Sequence, residues 1–497
     1  MEILVEPGRL PERGTLIVPV GYDGRLGAVA ASLDQATAGL IRRAVASGPL
    51  KHGRMVDLLL PAGLQLDRLL LIALGRADGV SRLELEEAGG GLAHKLRALK
   101  VSEAHLAPAD GLELGMPPTA VVQALVMGAR LRAYRFLKYR ESDGDDENGA
   151  PERLWVGLAA GQAALAEQSA IATAVHRARD LVSEPGNVLT PRAFADACGA
   201  LTEVGLDVEI LDQAALTALG MNALLAVAQG SAQPPYVAVM RWQGGGSEPP
   251  LALVGKGVCF DSGGISIKGA QGMEEMKWDM GGAAAVYGAM LALAGRKAKA
   301  NVVGVVGLAE NMPSGTAQRP GDVVTSMAGK TIEVINTDAE GRMLLADVLH
   351  YTKERFKPKA IIDLATLTGA VIVALGHENA GLFSNDEALA KDLLAAAEQT
   401  GELLWRLPLG KAYEKHIKSD IADMKNVGRG REAGSSAGAV FLQQFVGKVP
   451  WAHLDIAGVA WTSRDLPLAG KGATGYGVRL LDRLVARAFE GDSSAQP

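Results

Sequence analysis

The stretch Leu251-Ala252-Leu253-Val254-Gly255-Lys256-Gly257-Val258-Cys259-Phe260-Asp261 begins as an apolar run and ends in charge. Its first five residues read as a short buried strand. Comparable runs stand at Tyr236–Met240, Val302–Leu308, Thr331–Ile335 and Ile361–Thr366. Between or after them, residues 283–294, 342–353 and 388–400 carry helical patterns. Strands separated by helices of this size imply a largely parallel sheet covered on both faces. Toward the N-terminus the alternation repeats, with strands at Leu16–Val20 and Leu69–Leu74. The helix expected over Leu83–Leu99 has Leu85, Ala88, Leu92, Leu96 and Leu99 at three- to four-residue spacings. The acidic run Glu141–Gly149 reads as a solvated loop near a domain boundary. Leu154–Leu158 reads as the last strand of the first domain, and the Ala-rich stretch Gln162–Leu181 as a connecting helix. A chain of 497 residues is too long for one ordinary core. The expected fold class is therefore α/β with two domains, each a mainly parallel or mixed sheet flanked by helices: residues 1–160, a connecting helix at 161–181, and a larger C-terminal domain at 182–490.

Composition narrows the function classes. A net charge of −6 argues against a surface built to neutralise phosphates. Two cysteines, Cys198 and Cys259, make no disulfide framework, which fits a reducing compartment. Cys259 stands in the apolar run Val258-Cys259-Phe260 and reads as a buried structural thiol. The N-terminus shows no basic region followed by an apolar stretch, and no apolar segment approaches the ~18–20 residues that span a bilayer. The cytoplasm is the expected location, with no membrane partner.

In an open parallel sheet the working residues sit just beyond the carboxyl ends of strands. Two loops concentrate charge at such positions. One runs from Gly255 through Lys256 and Asp261 to Lys268; the other reads Asn336-Thr337-Asp338-Ala339-Glu340-Gly341-Arg342. Asp338 and Glu340 are two apart, so in an extended segment both carboxylates point to one side. A helix is expected to begin near Arg342. Converging carboxylates repel, and divalent metals resolve that repulsion. The structural alternative is that Asp338 and Glu340 only cap the following helix. It weakens because Asp261 and Asp279, the latter between Trp278 and Met280, also stand in surroundings that demand a partner. Lys256 and Lys268 read as surface lysines on the bland view. They equally suit a neutral amine ligating a metal, or an ammonium stabilising an oxyanion.

The heptapeptide at 336–342 resembles the signature of the leucyl aminopeptidase (cytosol aminopeptidase) family, bacterial type. Lys256, Asp261, Lys268 and Asp279 match that family's other functional positions in order and spacing. The likeness continues through Glu310-Asn311-Met312-Pro313, Ala365-Thr366-Leu367-Thr368-Gly369-Ala370 and Trp451–Gly458, and so covers about Asp180 to Leu481. Ser262 and Ser183 depart from the residues common in the family, without touching a proposed ligand. The first part resembles the family only in length and alternation.

The resemblance implies that the C-terminal domain is catalytic, a dinuclear-metal peptidase. Asp261 and Glu340 would bridge two divalent ions, Asp338 would complete one, and Lys256 and Asp279 the other. Oxygen-rich ligation with one amine and no thiolate suits Mn²⁺, Zn²⁺ or Mg²⁺. Lys268 and Arg342 would carry catalysis, Arg342 by holding a bicarbonate that relays the proton. Hydroxide generated between the ions would attack the peptide carbonyl. A metal-bound α-amine, assisted by Asp279, would restrict the enzyme to free N-termini. Met276 and Thr366-Leu367-Thr368-Gly369 would line the side-chain pocket. The family also implies a homohexamer, a dimer of trimers.

Other signals are discounted. Gly434-Ser435-Ser436-Ala437-Gly438 matches a nucleophile elbow but follows the polar stretch 426–432, read as a mobile loop and not a strand. Gly329-Lys330-Thr331 lacks the first glycine of a phosphate loop and more simply opens a strand. His453 reads as a buried hydrogen-bonded residue, and His377 carries no motif. Some bacterial relatives bind DNA, but the short basic groups Arg42-Arg43 and Lys51-His52-Gly53-Arg54 are equally solvated faces. A dinuclear enzyme acting on phosphate esters is the rival reading.

Overall fold

The computed structural model describes residues 1–76, 79–141, 151–158 and 161–491. The chain divides into two compact units, Met1–Ala172 with Arg464–Lys471, and Thr173–Ser463 with Gly472–Pro497. The expected acidic loop falls largely on residues 142–150, outside the described residues. The connecting segment is a short 3₁₀ turn, Gln162–Leu165, followed by the helix Ala166–Ser183.

The first unit holds a six-stranded sheet in the order Glu2–Val5, Arg153–Val156, Glu103–Leu106, Thr15–Gly21, Arg68–Leu74, Met55–Leu59. Only the last pair is antiparallel. Leu69 through Leu74 are all buried, because helices or loops cover both faces of this strand. The helix Arg82–Ala98 starts at a capping box, Ser81 with Glu84. It crosses the helix Pro118–Ala133 so closely that a Cβ on Gly128 would lie 1.6 Å from the Glu86 carbonyl oxygen. Only glycine permits that approach.

The second unit holds an eight-stranded sheet: Leu404–Arg406, Ala380–Ser384, Trp451–Asp455, Ala360–Ala365, Leu251–Asp261, Asn301–Asn311, Tyr236–Gln243, Asp207–Leu211. The four central strands are mutually parallel, and antiparallel pairings enter on both sides. The sheet is thus mixed, with a parallel centre. Each face is sealed by its own apolar cluster. One includes the helix Gly281–Gly295; the other includes Glu340–Phe356 and Gly434–Val446. Gly282 brings its helix against the sheet, since a Cβ there would meet the Leu364 carbonyl oxygen at 2.0 Å.

Two features differ from the sequence reading or refine it. The expected strand 331–335 is only Thr331–Glu333, and it lies outside the main sheet. It pairs with Val323–Thr325 and Met424–Lys425 in a small three-stranded sheet. Ile332 and Val334 are buried while Thr331 and Glu333 are half-buried, the alternation of a sheet covered on one face. The ladder between Leu251–Asp261 and Asn301–Asn311 also shifts register. Ala309 stands opposite Val258 but Glu310 opposite Phe260, so Cys259 is an extra residue and Asn311 faces Asp261. Among the described residues no helix is long and apolar enough to cross a membrane.

Candidate metal centre

Three segments bring charge to one end of the parallel strands. Asp261 closes the strand Leu251–Asp261, on which Lys256 stands five residues earlier, and Lys268 follows in the next loop. Asp279 ends the 3₁₀ turn Met273–Trp278 just before the helix Gly281–Gly295. Asp338 precedes, and Glu340 begins, the helix Glu340–Phe356.

The extended arrangement expected for Asp338 and Glu340 is not found. Asn336 folds the segment into a turn, its Oδ1 accepting from Asp338 N at 2.8 Å and its carbonyl from Ala339 N at 3.2 Å. Ala339 at φ −103°, ψ 43° completes that turn, and the helix begins at Glu340, within two residues of the expected start near Arg342. The carboxylates converge through a turn and a helix start. One oxygen each of Asp261, Asp338 and Glu340 lies within 4.8 Å of the others.

Each ammonium bridges two carboxylates. Lys256 Nζ is 2.7 Å from Asp279 Oδ1 and 2.8 Å from Glu340 Oε1, and donates to the Thr366 carbonyl at 2.8 Å. Lys268 Nζ is 2.7 Å from Asp261 Oδ2 and 2.5 Å from Asp338 Oδ1. Lys256, Asp261, Asp279 and Glu340 are buried; Asp338 is half-buried. Burial alone lowers the pKa of both lysines, but the surrounding carboxylates outweigh it and hold both well above the ordinary range. Burial pushes Asp279 well up, opposed by Lys256 and reinforced by Glu340. Asp261 and Asp338 are likewise raised by burial and then by their acidic neighbours, Glu340 and Asp261 respectively. The site is short of positive charge.

That shortage tests whether divalent ions fit. Four buried or half-buried carboxylates face two ammonium groups, leaving two negative charges uncompensated. Asp279 Oδ2 is buried without a hydrogen-bond partner. Uncompensated charge in such surroundings costs several kcal/mol unless paired. Oxygen donors with one amine match hard or borderline divalent cations. The residues fit the group.

The remaining expected residues have contacts of their own. Arg342 is buried with Nε unpartnered, and burial lowers its pKa against the pull of Glu340 and Asp455. Thr366 Oγ1 donates to Asp279 Oδ1 at 2.8 Å. Leu367 N and Thr368 Oγ1 donate to Asp455 at 3.1 and 2.7 Å, and Thr368 caps the helix Gly369–Leu375. Met276 is half-buried in the 3₁₀ turn. His453 is fully buried against Asp363, and His377 Nδ1 contacts the Gly458 carbonyl. Ser435 and Ser436 open a helix preceded by a turn, unlike a nucleophile elbow.

Sequence reasoning missed three residues. Asn311, Thr337 and Asn426 are buried among the site's loops. Thr337 Oγ1 donates to the Gly263 carbonyl at 2.6 Å and accepts from Ser266 N at 2.8 Å. Asn426 was expected in a mobile polar loop; it is fully buried because the backbone of 335–339 needs its amide. The quoted Glu310-Asn311-Met312-Pro313 held the one available signal, an asparagine closing an apolar strand.

A sequence model of the cytosol aminopeptidase family's catalytic domain matches residues 176–482, and that of its N-terminal domain matches residues 17–143. The N-terminal likeness therefore exceeds the length and alternation expected from the sequence. A "Probable cytosol aminopeptidase" of Caulobacter vibrioides is 52% identical over 470 residues, 93% of this chain and 94% of that one. One from Methylorubrum extorquens is 51% identical over 500 residues, covering 99% of each. Among solved structures, the bottromycin maturation enzyme BotP in complex with Mn has a TM-score of 0.82 and 35% identity, covering 95% of this chain and 98% of that one. A mutant of tomato leucine aminopeptidase has a TM-score of 0.83 and 33% identity, covering 98% and 96%. Both domains match and the relatives align almost end to end: this chain belongs to the cytosol aminopeptidase family and is a metal-dependent aminopeptidase.

Proposed function

We propose that the enzyme releases single residues from the free N-terminus of peptides, preferring leucine and other apolar residues. Asp261, Asp338, Glu340 and Asp279 would hold two divalent ions. Lys256, an ammonium while the carboxylates alone surround it, would join them as a neutral amine once a neighbouring dication displaces its proton. Mn²⁺ is favoured by the Mn complex of the related BotP, with Zn²⁺ and Mg²⁺ also suited to these donors. When bound, the ions supply Lewis acidity, acidifying a water and polarising the peptide carbonyl.

The observation that carries the exopeptidase reading is Asp279. Its Oδ1 is taken by Lys256 and Thr366, while Oδ2 is buried and free. Beside a bound ion, Asp279 would take part in holding a free, neutral α-amino group, which an internal peptide bond lacks. Lys268, held in its charged form by Asp261 and Asp338, would offer its ammonium to an oxyanion formed beside the ions. Arg342 keeps a buried guanidinium with a free Nε, suited to anchoring a small anion such as bicarbonate as proton carrier. The Thr366 and Thr368 hydroxyls are turned to Asp279 and Asp455, so these threonines would offer their methyl groups to a side-chain pocket shared with Met276, Leu367 and Gly369. Such a pocket discriminates by about 1–3 kcal/mol per methylene, which supports broad specificity with an apolar bias.

The test is chelation followed by titration with Mn²⁺, Zn²⁺ and Mg²⁺ while following leucine amide hydrolysis. Activity should vanish on chelation and return at about two ions per chain, as a two-metal site requires. Glu340→Ala or Asp338→Ala should abolish it, and Lys268→Ala should lower turnover while the ions stay bound. Turnover of N-acetyl-leucine amide or p-nitrophenyl phosphate at a comparable rate would overturn the exopeptidase reading.

A further inference from the structure

We propose that Asn311 and Asn426 are positioning residues of the metal centre: Asn311 orients Asp261, and Asn426 holds the loop that carries Asp338 and leads into Glu340. The inference rests on the two-metal reading above and adds to it what sets the carboxylates in place.

Asn311 is fully enclosed at the end of the strand Asn301–Asn311. Its Nδ2 donates to Asp261 Oδ1 at 2.8 Å and to the Thr337 carbonyl at 2.9 Å, so one amide ties two separate segments of the site together. Gly263 N donates to the same Asp261 oxygen at 2.9 Å. With Oδ1 held by two donors, the carboxylate cannot swivel freely, and Oδ2 is the oxygen presented to Lys268. The Asn311 Oδ1 atom is closely packed as well. A Cβ on Gly264 would stand 2.7 Å from it, so glycine at that position is what leaves the amide oxygen its place.

Asn426 is 0% exposed. Its Oδ1 accepts from Ile335 N at 2.8 Å and Asn336 N at 3.3 Å; its Nδ2 donates to the carbonyls of Asn336 at 2.7 Å and Ala339 at 3.5 Å. All four hydrogen-bonding positions of the amide are thereby used on residues 335–339. This loop lies outside any strand ladder, so the side chain supplies the order that a ladder would. An amide suits both positions because it donates and accepts without adding charge to an already acidic site. An aspartate of the same shape would set a carboxylate against Asp261 in one case and against two carbonyl oxygens in the other.

Groups that orient metal ligands typically change metal affinity or activity by about 10- to 100-fold when altered. The test uses the full-length chain stripped of metal and titrated with Mn²⁺ by calorimetry, for the parent, Asn311→Asp and Asn426→Asp. Circular dichroism and thermal melts establish that each is folded at the titration temperature. Should either aspartate variant not fold, Asn311→Ser and Asn426→Ser remove the amide without adding charge. The expected result is two ions bound by the parent, and about 10- to 100-fold weaker binding of at least one ion in each folded variant, with kcat for leucine amide lowered more than KM is raised. A merely structural role would lower the melting temperature and leave Mn²⁺ affinity alone. Folded variants that bind Mn²⁺ within about twofold of the parent overturn the proposal. A parent that binds no Mn²⁺ overturns the metal reading itself, which is a separate outcome.

Discussion

Gly341, the second residue of its helix, lies against the aliphatic chain of Lys256. A Cβ there would be 2.5 Å from Lys256 Cε and 2.7 Å from Cδ. Lys256 cannot yield without leaving Asp279, Glu340 and the Thr366 carbonyl, the three partners that hold its ammonium. Gly341→Ala is therefore expected to displace the Lys256 side-chain nitrogen and lower kcat/KM by about tenfold or more, some 1.4 kcal/mol of transition-state stabilisation. Kinetics with leucine amide check it; parental activity in the variant would show that Lys256 has room to move. Asp338 and Glu340 were legible in the sequence because a seven-residue string names them. Asn311 and Asn426 were not, since a short polar residue in a loop looks solvated. What buries Asn426 is the unpaired backbone of a segment about ninety residues away, which no local pattern reveals.

At the scale of elements, the helix Glu340–Phe356 does more than start the site. Asp347, fully buried on it, accepts from Leu224 N at 3.0 Å and Met327 N at 2.8 Å. Burial nevertheless pushes its pKa up to about 7, against those backbone hydrogen bonds. An acid raised in the folded state binds more protons there than when unfolded. Its contribution to stability is thus complete below the ordinary carboxyl range and is lost as pH rises toward about 7. The difference in melting temperature between the parent and Asp347→Asn should move in the variant's favour from about pH 5 to pH 8, a window that spans this titration. A flat difference across that range would refute it. In the neighbouring strands, Asp363 takes hydrogen bonds from Trp451 Nε1 at 2.7 Å and His453 Nδ1 at 2.6 Å, all three fully buried. Asp363→Ala leaves both donors unpaired and should destabilise by about 3–5 kcal/mol, read from denaturant or thermal unfolding. The alternation of strand and helix was legible because apolar runs and helical spacing are local. The true place of Thr331–Glu333 was not: a three-residue strand is assigned by its partners, here Val323–Thr325 and Met424–Lys425.

For the whole molecule, the two-unit α/β plan followed from length and from where the pattern breaks. The antiparallel pairings did not, because strand direction depends on how the intervening chain returns. Assembly lies beyond one chain's geometry, and the family resemblance carries the expectation of a hexamer. Light scattering should give six times the chain mass of 51.7 kDa; a monomeric mass would dismiss it. Of the basic residues near the N-terminus, Arg42 pairs with Asp34 at 3.0 Å and Arg54 donates to the Pro49 carbonyl.

The extra residue at Cys259 has a last consequence, for anyone redesigning this scaffold. Deleting it would restore an even ladder beside Asn301–Asn311 and improve the sheet by any measure of regularity. Phe260 would stay opposite Glu310 and Asp261 opposite Asn311, but the bend and added twist that a bulge gives its strand would go, and with them the aim of the Asp261 carboxylate. An optimiser rewarding ideal strands would delete the enzyme while perfecting the protein.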